Sequence, residues 1–328
     1  MSETFWQDFV MEQTDATSLN VQEKLQTLWS GYGSLLRVKL EGSSFQTAIV
    51  KHIVLPEQSN HPRGWNTQLS HQRKMKSYEV ETHWYQRFSA LCDDACRVPH
   101  CLGAIEQGRE RVILLEDLDA VGYSERRMSL SYNDVGAGLD WLAHFHARFL
   151  HTRPEGLWDI GTYWHLDTRP DEWGEMEESA LKNAAKDIDA LLNACQFQTL
   201  VHGDAKVANF CFSNKGDSIA AVDFQYVGGG CGMKDVVYFL GSCLEEEECK
   251  AKEEALLHRY FSTLKDALER YGQDVDWGAL ELEWREMYAV AWTDFYRFLL
   301  GWMPGHWKVN DYSKELADRV LERIGTLG

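Results

Sequence analysis

The sequence predicts an α+β fold in two unequal lobes, a small antiparallel sheet carrying one helix and then a larger, mainly helical part. Two observations predict it. Over the first third of the chain, β-branched and aromatic residues gather in short runs between glycine and serine turns, as strands do. From about residue 233 the apolar residues recur at three- and four-residue spacing, as on the packed face of a helix. The expected division is residues 1–115 for the sheet lobe, 116–119 for a hinge and 120–328 for the helical lobe.

"KLQTLWSGYG", "SLLRVKLEG" and "FQTAIVKHIVL" read as three strands of a meander. The polar stretch "PEQSNHPRGWNTQLSHQRK" is long enough for a surface insertion. In "SYEVETHWYQRFSAL", Tyr78, Trp84, Tyr85, Phe88 and Leu91 mark one face of a helix. Glu81 falls inside that apolar stripe, whereas Glu79 is displaced by about 200° around the wheel. "RVILLEDLD" reads as a strand ending in acids. "GLDWLAHFHARFL" reads as an amphipathic helix whose His144 and His146 are packed or edge residues rather than ligands. "QTLVHGD" and "FCFS…SIAAVDFQ" are short strands around loops. "DVVYFLGSCL", "KEEALLHRYFSTLKDALERYG" and "EWREMYAVAWTDFYRFLLGW" are helices, and the acids Glu245–Glu248 suit a helix start, where the backbone dipole favours negative charge.

A chain of 328 residues with 44% hydrophobic and 26% charged residues suits one large globular domain or two. Its net charge of −18 argues against nucleic-acid partners and anionic membranes, which need a basic surface. No apolar stretch is long enough to span a bilayer. "MSETFWQDFVMEQ" lacks the basic start and apolar run of an export signal, and the eight cysteines show no paired C-x-x-C spacing. A reducing, cytoplasmic location is therefore expected. Cys92, Cys96 and Cys101 with His100 fit no common zinc pattern. Thirteen tryptophans exceed what such a core needs, so some are expected at a pocket.

The polar residues that stand out are far apart in sequence. "LVHGDAKVANFCF" sets His202, Asp204, Lys206 and Asn209 between two apolar runs; on its own it is ordinary turn chemistry. Asp223 stands fourteen residues past Asn209, at the end of an apolar strand. Lys51 lies in the strand "AIVKHI", and Glu81 in the apolar stripe of the next helix. Both charges need an explanation, and pairing explains both.

In this order and spacing the features resemble the protein-kinase-like small-molecule phosphotransferases: aminoglycoside phosphotransferases, choline kinases and above all the ecdysteroid-kinase-like, choline-kinase-like group. "HGDAKVAN" has that branch's His-Gly-Asp opening, and "VDFQ" stands where protein kinases have Asp-Phe-Gly. "VILLEDL" resembles the hinge strand and "YEVETHWY" the first helix, so the likeness runs over roughly residues 30 to 240. It implies a protein-kinase-like fold using ATP and Mg²⁺. Asp204 would take or orient the proton of an acceptor hydroxyl, Asn209 and Asp223 would hold Mg²⁺, and Lys51, held by Glu81, would bind the α- and β-phosphates. Lys206 would neutralise the transferred phosphoryl group, while His202 braces the loop beside it. Gly31, Gly33 and Ser34 would cover the phosphates through backbone N–H groups, although "SGYGSLLRV" lacks a full glycine-rich fingerprint and a plain hairpin turn is its other reading. Backbone groups of Glu116 and Leu118 would meet adenine. Asp235 would brace the catalytic loop, its other reading being a simple N-cap.

The acceptor expected from this likeness is a small non-protein hydroxyl compound on the helical lobe, with Trp292 and Tyr296 as the first candidates for an aromatic wall. Such a wall suits a neutral apolar alcohol or an amine-bearing one. Two other readings stay open. A protein kinase needs an activation segment and docking platform, for which the short interval from Asp223 to Asp235 leaves little room. A non-catalytic nucleotide-binding scaffold would normally have lost the base, the metal ligands or the lysine.

Overall fold

Successive residues of a strand point to opposite faces of its sheet, so a strand covered on both sides can bury both. The computed structural model describes residues 5–28, 31–55, 67–216 and 218–327. Its first lobe runs α1 (Phe5–Thr14), β1 (Ser18–Thr27), β2 (Gly33–Glu41), β3 (Thr47–Val54), α2 (Thr67–Arg87), β4 (Cys101–Gln107) and β5 (Glu110–Glu116). The five strands form one antiparallel sheet in the order β1-β2-β3-β5-β4. Val112 and Leu114 of β5 pack with Trp6, Phe9 and Val10 of α1. The alternate residues Ile113 and Leu115 join a different cluster with Val80, Trp84 and Tyr85 of α2. Lys51 pairs in register with Ile113, which places it on the α2 side.

The second lobe begins with α3 (Tyr132–Arg148), started by a capping box in which Ser131 and Asp134 bond each other's backbone N–H. Short helices α4 (Pro170–Glu175), α5 (Ala180–Asn183) and α6 (Ala185–Asn193) follow. The strands β6 (Thr199–Val201), β7 (Phe210–Phe212), β8 (Ile219–Ala221) and β9 (Gly228–Gly230) make two antiparallel pairs, β6 with β9 and β7 with β8. Four long helices complete it: α7 (Met233–Cys243), α8 (Glu246–Arg270), α9 (Trp277–Trp302) and α10 (Asp311–Leu327). No helix among the described residues is long and apolar enough to cross a membrane. The eight cysteines are all free thiols.

The two-lobed α+β expectation holds, with differences that have physical causes. Helix α1 and strands β4 and β9 were not anticipated; β9 is three glycines, which carry no strand pattern. Helix α2 starts at Thr67, within the segment expected to be a surface insertion. Its first turns are polar because they meet polar atoms of the other lobe: Arg73 donates to the Thr168 carbonyl at 3.0 Å and Lys74 to Gln225 Oε1 at 2.5 Å. The remainder of that insertion, residues 56–66, lies outside the described residues.

One apolar core crosses between the lobes. Trp84 of α2 is fully buried and stacks on Phe224, with ring centroids 4.5 Å apart. Trp84→Ala is therefore expected to lower the free energy of unfolding by about 3–5 kcal/mol. Denaturant unfolding checks this, and a loss under about 1 kcal/mol would mean that the shared core contributes little.

Candidate active site in the cleft between the lobes

A cleft of about 610 Å³ opens where the sheet lobe meets the short strands of the helical lobe. Ile49, Leu115 and Val222 give it an apolar part, and Lys51, Glu81, Asp204, Asn209 and Asp223 a charged one. Sequence-distant residues thus converge on one cavity.

Lys51 Nζ lies 2.6 and 2.8 Å from the two carboxylate oxygens of Glu81, and both side chains are buried. The competing acid, Glu79, is exposed and pairs with Arg111 at 3.0 Å. Lys51 Nζ is also 3.5 Å from Asp223 Oδ1. Burial disfavours the ammonium, but Glu81 and Asp223 outweigh it and raise the Lys51 pKa.

The loop between β6 and β7 is shaped by what crosses it. Gly203 has φ of +80°, and a Cβ there would stand 2.0 Å from the Tyr226 carbonyl oxygen. Only glycine fits both the left-handed backbone and that approach. Asp235, in the first turn of α7, accepts from the backbone N–H of His202 at 2.5 Å and of Gly203 at 2.9 Å. It caps the loop, not its own helix. Fully buried His146 in turn meets Asp235 at 3.2 Å and the Tyr260 hydroxyl at 2.8 Å, a supporting role that no motif signalled. His202 has both ring nitrogens occupied. Nδ1 accepts from Asp204 N–H at 3.2 Å, so Nε2 is the donor to the Val222 carbonyl at 3.0 Å. Both ring nitrogens are thus engaged in holding the loop, and neither is free for proton transfer.

Asp204 Oδ2 accepts from Lys206 Nζ at 2.9 Å and Asn209 Nδ2 at 3.0 Å, while its buried Oδ1 has no partner. The β7–β8 hairpin brings Asn209 beside Asp223: Phe210 pairs with Ala221, and Val222 N–H donates to the Asn209 carbonyl at 2.9 Å. Asn209 commits its amide nitrogen to Asp204 and keeps its amide oxygen to offer a cation. Asp223 Oδ1 is buried without a hydrogen-bond donor, and its backbone has φ of +68°, a strained value for a non-glycine residue. The two carboxyls are driven apart. Burial, aided by the Asp223 charge, raises Asp204 despite Lys206. Burial also opposes ionisation of Asp223, but Lys51, Lys74 and Lys206 together lower its pKa.

Of the other expected residues, Glu116 and Leu118 line the cleft and the rest stand elsewhere. Gly31, Gly33 and Ser34 do not line the cleft; Leu28 and Leu35 do. Gly33 has φ of +133°, and a Cβ there would meet the His52 carbonyl oxygen at 2.0 Å, so strand packing explains this glycine. Trp29 and Ser30 lie outside the described residues. Glu116 spends its carboxylate on Arg97 and on the His100 N–H. Leu118 gives its carbonyl to Tyr123 N–H at 2.9 Å, so its own N–H is what it can offer. Trp292 bonds Ser313 Oγ at 2.9 Å and packs edge-on against Tyr312, away from the cleft. Tyr296 is buried in the same core. The aromatic wall expected at Trp292 and Tyr296 is instead helix packing, and no tryptophan lines the cleft among the described residues. Its rings are Tyr78, Tyr85 and Tyr226, with Tyr163 behind Tyr226 at 5.9 Å between centroids. Lys74, Gln225 and Tyr226 are cleft residues the sequence reading did not assign. Lys74 was findable, because it precedes Glu81 by seven residues, about two helical turns.

The ecdysteroid kinase-like family matches residues 163–273. Among solved structures, an amicoumacin kinase in complex with AMP-PNP, Ca²⁺ and Ami is similar at 13% identity and a TM-score of 0.51, over 99% of this chain and 93% of that one. A choline kinase from Cryptosporidium parvum is similar at 10% identity and a TM-score of 0.50, over 94% of this chain and 90% of that one. At such identities the likeness is one of fold, that of kinases acting on small molecules. No curated protein matches the sequence.

The brace at Asp235 has a measurable consequence. Asp235→Ala leaves two buried N–H groups without an acceptor and is expected to cost about 1–3 kcal/mol. Hydrogen exchange at the amides of His202 and Gly203 should accelerate relative to the β2–β3 ladder. Unchanged protection there would remove Asp235 as the loop's support.

Proposed function

We propose that the protein is an ATP-dependent phosphotransferase that moves the γ-phosphoryl group to a hydroxyl of a small molecule. One observation carries this reading. Two carboxylates with opposite pKa shifts, buried Asp204 and partly exposed Asp223, meet in the cleft that holds the Lys51–Glu81 pair, and Asp204 keeps an oxygen without a hydrogen bond. Divergent carboxyls of this kind divide acid–base work from cation binding. The amicoumacin kinase that shares the fold is bound to AMP-PNP and Ca²⁺, which supports a nucleotide and a divalent cation here.

Asp223 and the Asn209 amide oxygen suit Mg²⁺, a hard cation that takes few protein oxygens and fills its shell with water and phosphate. Among the described residues no cluster of three or more His, Cys, Asp or Glu suits a metal, so the phosphates must supply part of the shell. When bound, Mg²⁺ supplies neutralisation of phosphate charge. Lys51 holds the α- and β-phosphates and is kept charged and immobile by Glu81. Asp204 Oδ1 receives the proton of the acceptor hydroxyl as that oxygen bonds to the γ-phosphorus and the bond to the β-phosphate oxygen breaks, releasing ADP. Lys206, bonded to Asp204 Oδ2, orients the base and lies close to the transferred group. Tyr226 borders the acceptor end. A peptide acceptor is disfavoured, because a turn and β9 take up the chain between Asp223 and α7, leaving no docking segment. A non-catalytic scaffold is disfavoured because base, cation ligands and lysine are all present and aligned.

ADP release measured over a panel of small hydroxyl compounds tests the reading directly; binding of ATP with no turnover on any acceptor would favour the scaffold. Asp204→Ala is expected to reduce turnover about 10²- to 10⁴-fold with little change in nucleotide affinity. Asp223→Ala should weaken Mg²⁺-dependent nucleotide binding as well. Near-normal turnover in either variant would refute the roles given. The base must be ionised to act, so kcat/KM should fall as pH drops through a pKa above the ordinary aspartate range. An acid limb at or below that range would exclude Asp204 as the base.

A further inference from the structure

The cleft contains a cation that the scheme above does not use. Lys74 projects from α2 on the same face as Glu81 and lines the cavity with Lys51, Asp204 and Asp223. The other lysines there have carboxylate partners: Lys51 has Glu81, and Lys206 has Asp204. Lys74 Nζ bonds instead to the neutral Oε1 of Gln225 at 2.5 Å and stands 4.7 Å from the centroid of the Tyr78 ring. Burial, and then the positive charge of Lys51, lower its pKa to about 8, against the opposing pull of Asp223, Glu81 and Asp204.

Gln225 is itself fixed. Trp158 Nε1 donates to its backbone carbonyl at 2.8 Å, and the Ser77 hydroxyl, which donates to the Lys74 carbonyl at 2.8 Å, lies 3.4 Å from its Oε1. Its amide oxygen therefore holds a half-buried ammonium without neutralising it. An ammonium partly removed from water and in direct contact with no carboxylate gains when an anion arrives. The cavity shared with Asp204 and Asp223 is where a nucleotide's terminal phosphate would lie on the reading above.

We propose that Lys74 binds the γ-phosphoryl group during transfer and that Gln225 positions it. This rests on the phosphotransferase reading. The lysine stays an ammonium throughout, making and breaking no covalent bond, and offsets charge on the equatorial oxygens from a prearranged position. Helix α2 then carries two phosphate determinants about two turns apart, Glu81 acting through Lys51 on the α- and β-phosphates and Lys74 acting on the γ-phosphate.

Calorimetric titration of the full chain with AMP-PNP and with ADP, both with Mg²⁺, separates the possibilities. Lys74→Met is expected to weaken AMP-PNP about tenfold or more, the worth of a charge-assisted hydrogen bond, and to leave ADP within about twofold. Lys74→Arg should recover most of the AMP-PNP affinity. Equal weakening of both nucleotides, or no change in either, would overturn the assignment. Should Lys74→Met fail to fold, Gln225→Leu keeps the charge and removes its support; a smaller loss confined to AMP-PNP is expected, and equal loss for both nucleotides would overturn it. A wild-type chain that binds neither nucleotide would overturn the phosphotransferase reading and this inference with it.

Discussion

Lys51 and Glu81 lie buried together, one on a strand of the sheet and the other on the helix that covers it. Neither is tolerable alone, because a single charge left in that position costs about 3–5 kcal/mol. The pair therefore fixes how α2 lies on the sheet, and much else follows from that placement. With α2 set, Trp84 reaches Phe224, Ser77 and Lys74 reach Gln225, and Arg73 reaches the Thr168 carbonyl. The helix belongs to the first lobe by sequence but makes much of the contact with the second.

The second lobe answers with a loop held from behind. Asp235 takes two backbone N–H groups, His202 spends both ring nitrogens, and Asn209 ties down Asp204. Once these obligations are met, Asp204 still has an oxygen to offer the cleft. Asp204 Oδ1 and Asp223 Oδ1 are left without hydrogen bonds where a folded protein ordinarily satisfies such atoms. The burial that makes them costly also separates their acidities, since three lysines surround Asp223 while Asp204 faces its negative neighbour. The strained backbone at Asp223 belongs to the same arrangement.

An acidic chain thus concentrates cations at one place. Lys51, Lys74 and Lys206 all line the cleft of a protein with a net charge of −18. They stand there beside the carboxylates of Glu81, Asp204 and Asp223, so the cleft sets opposite charges side by side.

The sequence by itself determined a strand-rich first lobe before a mainly helical second, the pairing of Lys51 with Glu81 and not Glu79, and the polar loop as an anomaly between apolar runs. These were legible because each breaks a local rule: a lysine inside a strand, a glutamate inside an apolar stripe, a polar cluster between apolar runs. Period-based reasoning could not place Trp292 and Tyr296, because a ring on a helix looks the same whether it faces a pocket or a neighbouring helix. Packing against α10 decided that. Nor could it find β9, whose glycines carry no pattern, or the early turns of α2, whose polar residues serve contacts with the other lobe. Gly33 looked like a phosphate loop until the His52 carbonyl explained it. Only the tertiary structure decided that Lys74 and Gln225 meet, since their contact joins residues 151 positions apart. Local sequence records which residues are anomalous; which anomalies face one another is settled by how the lobes close.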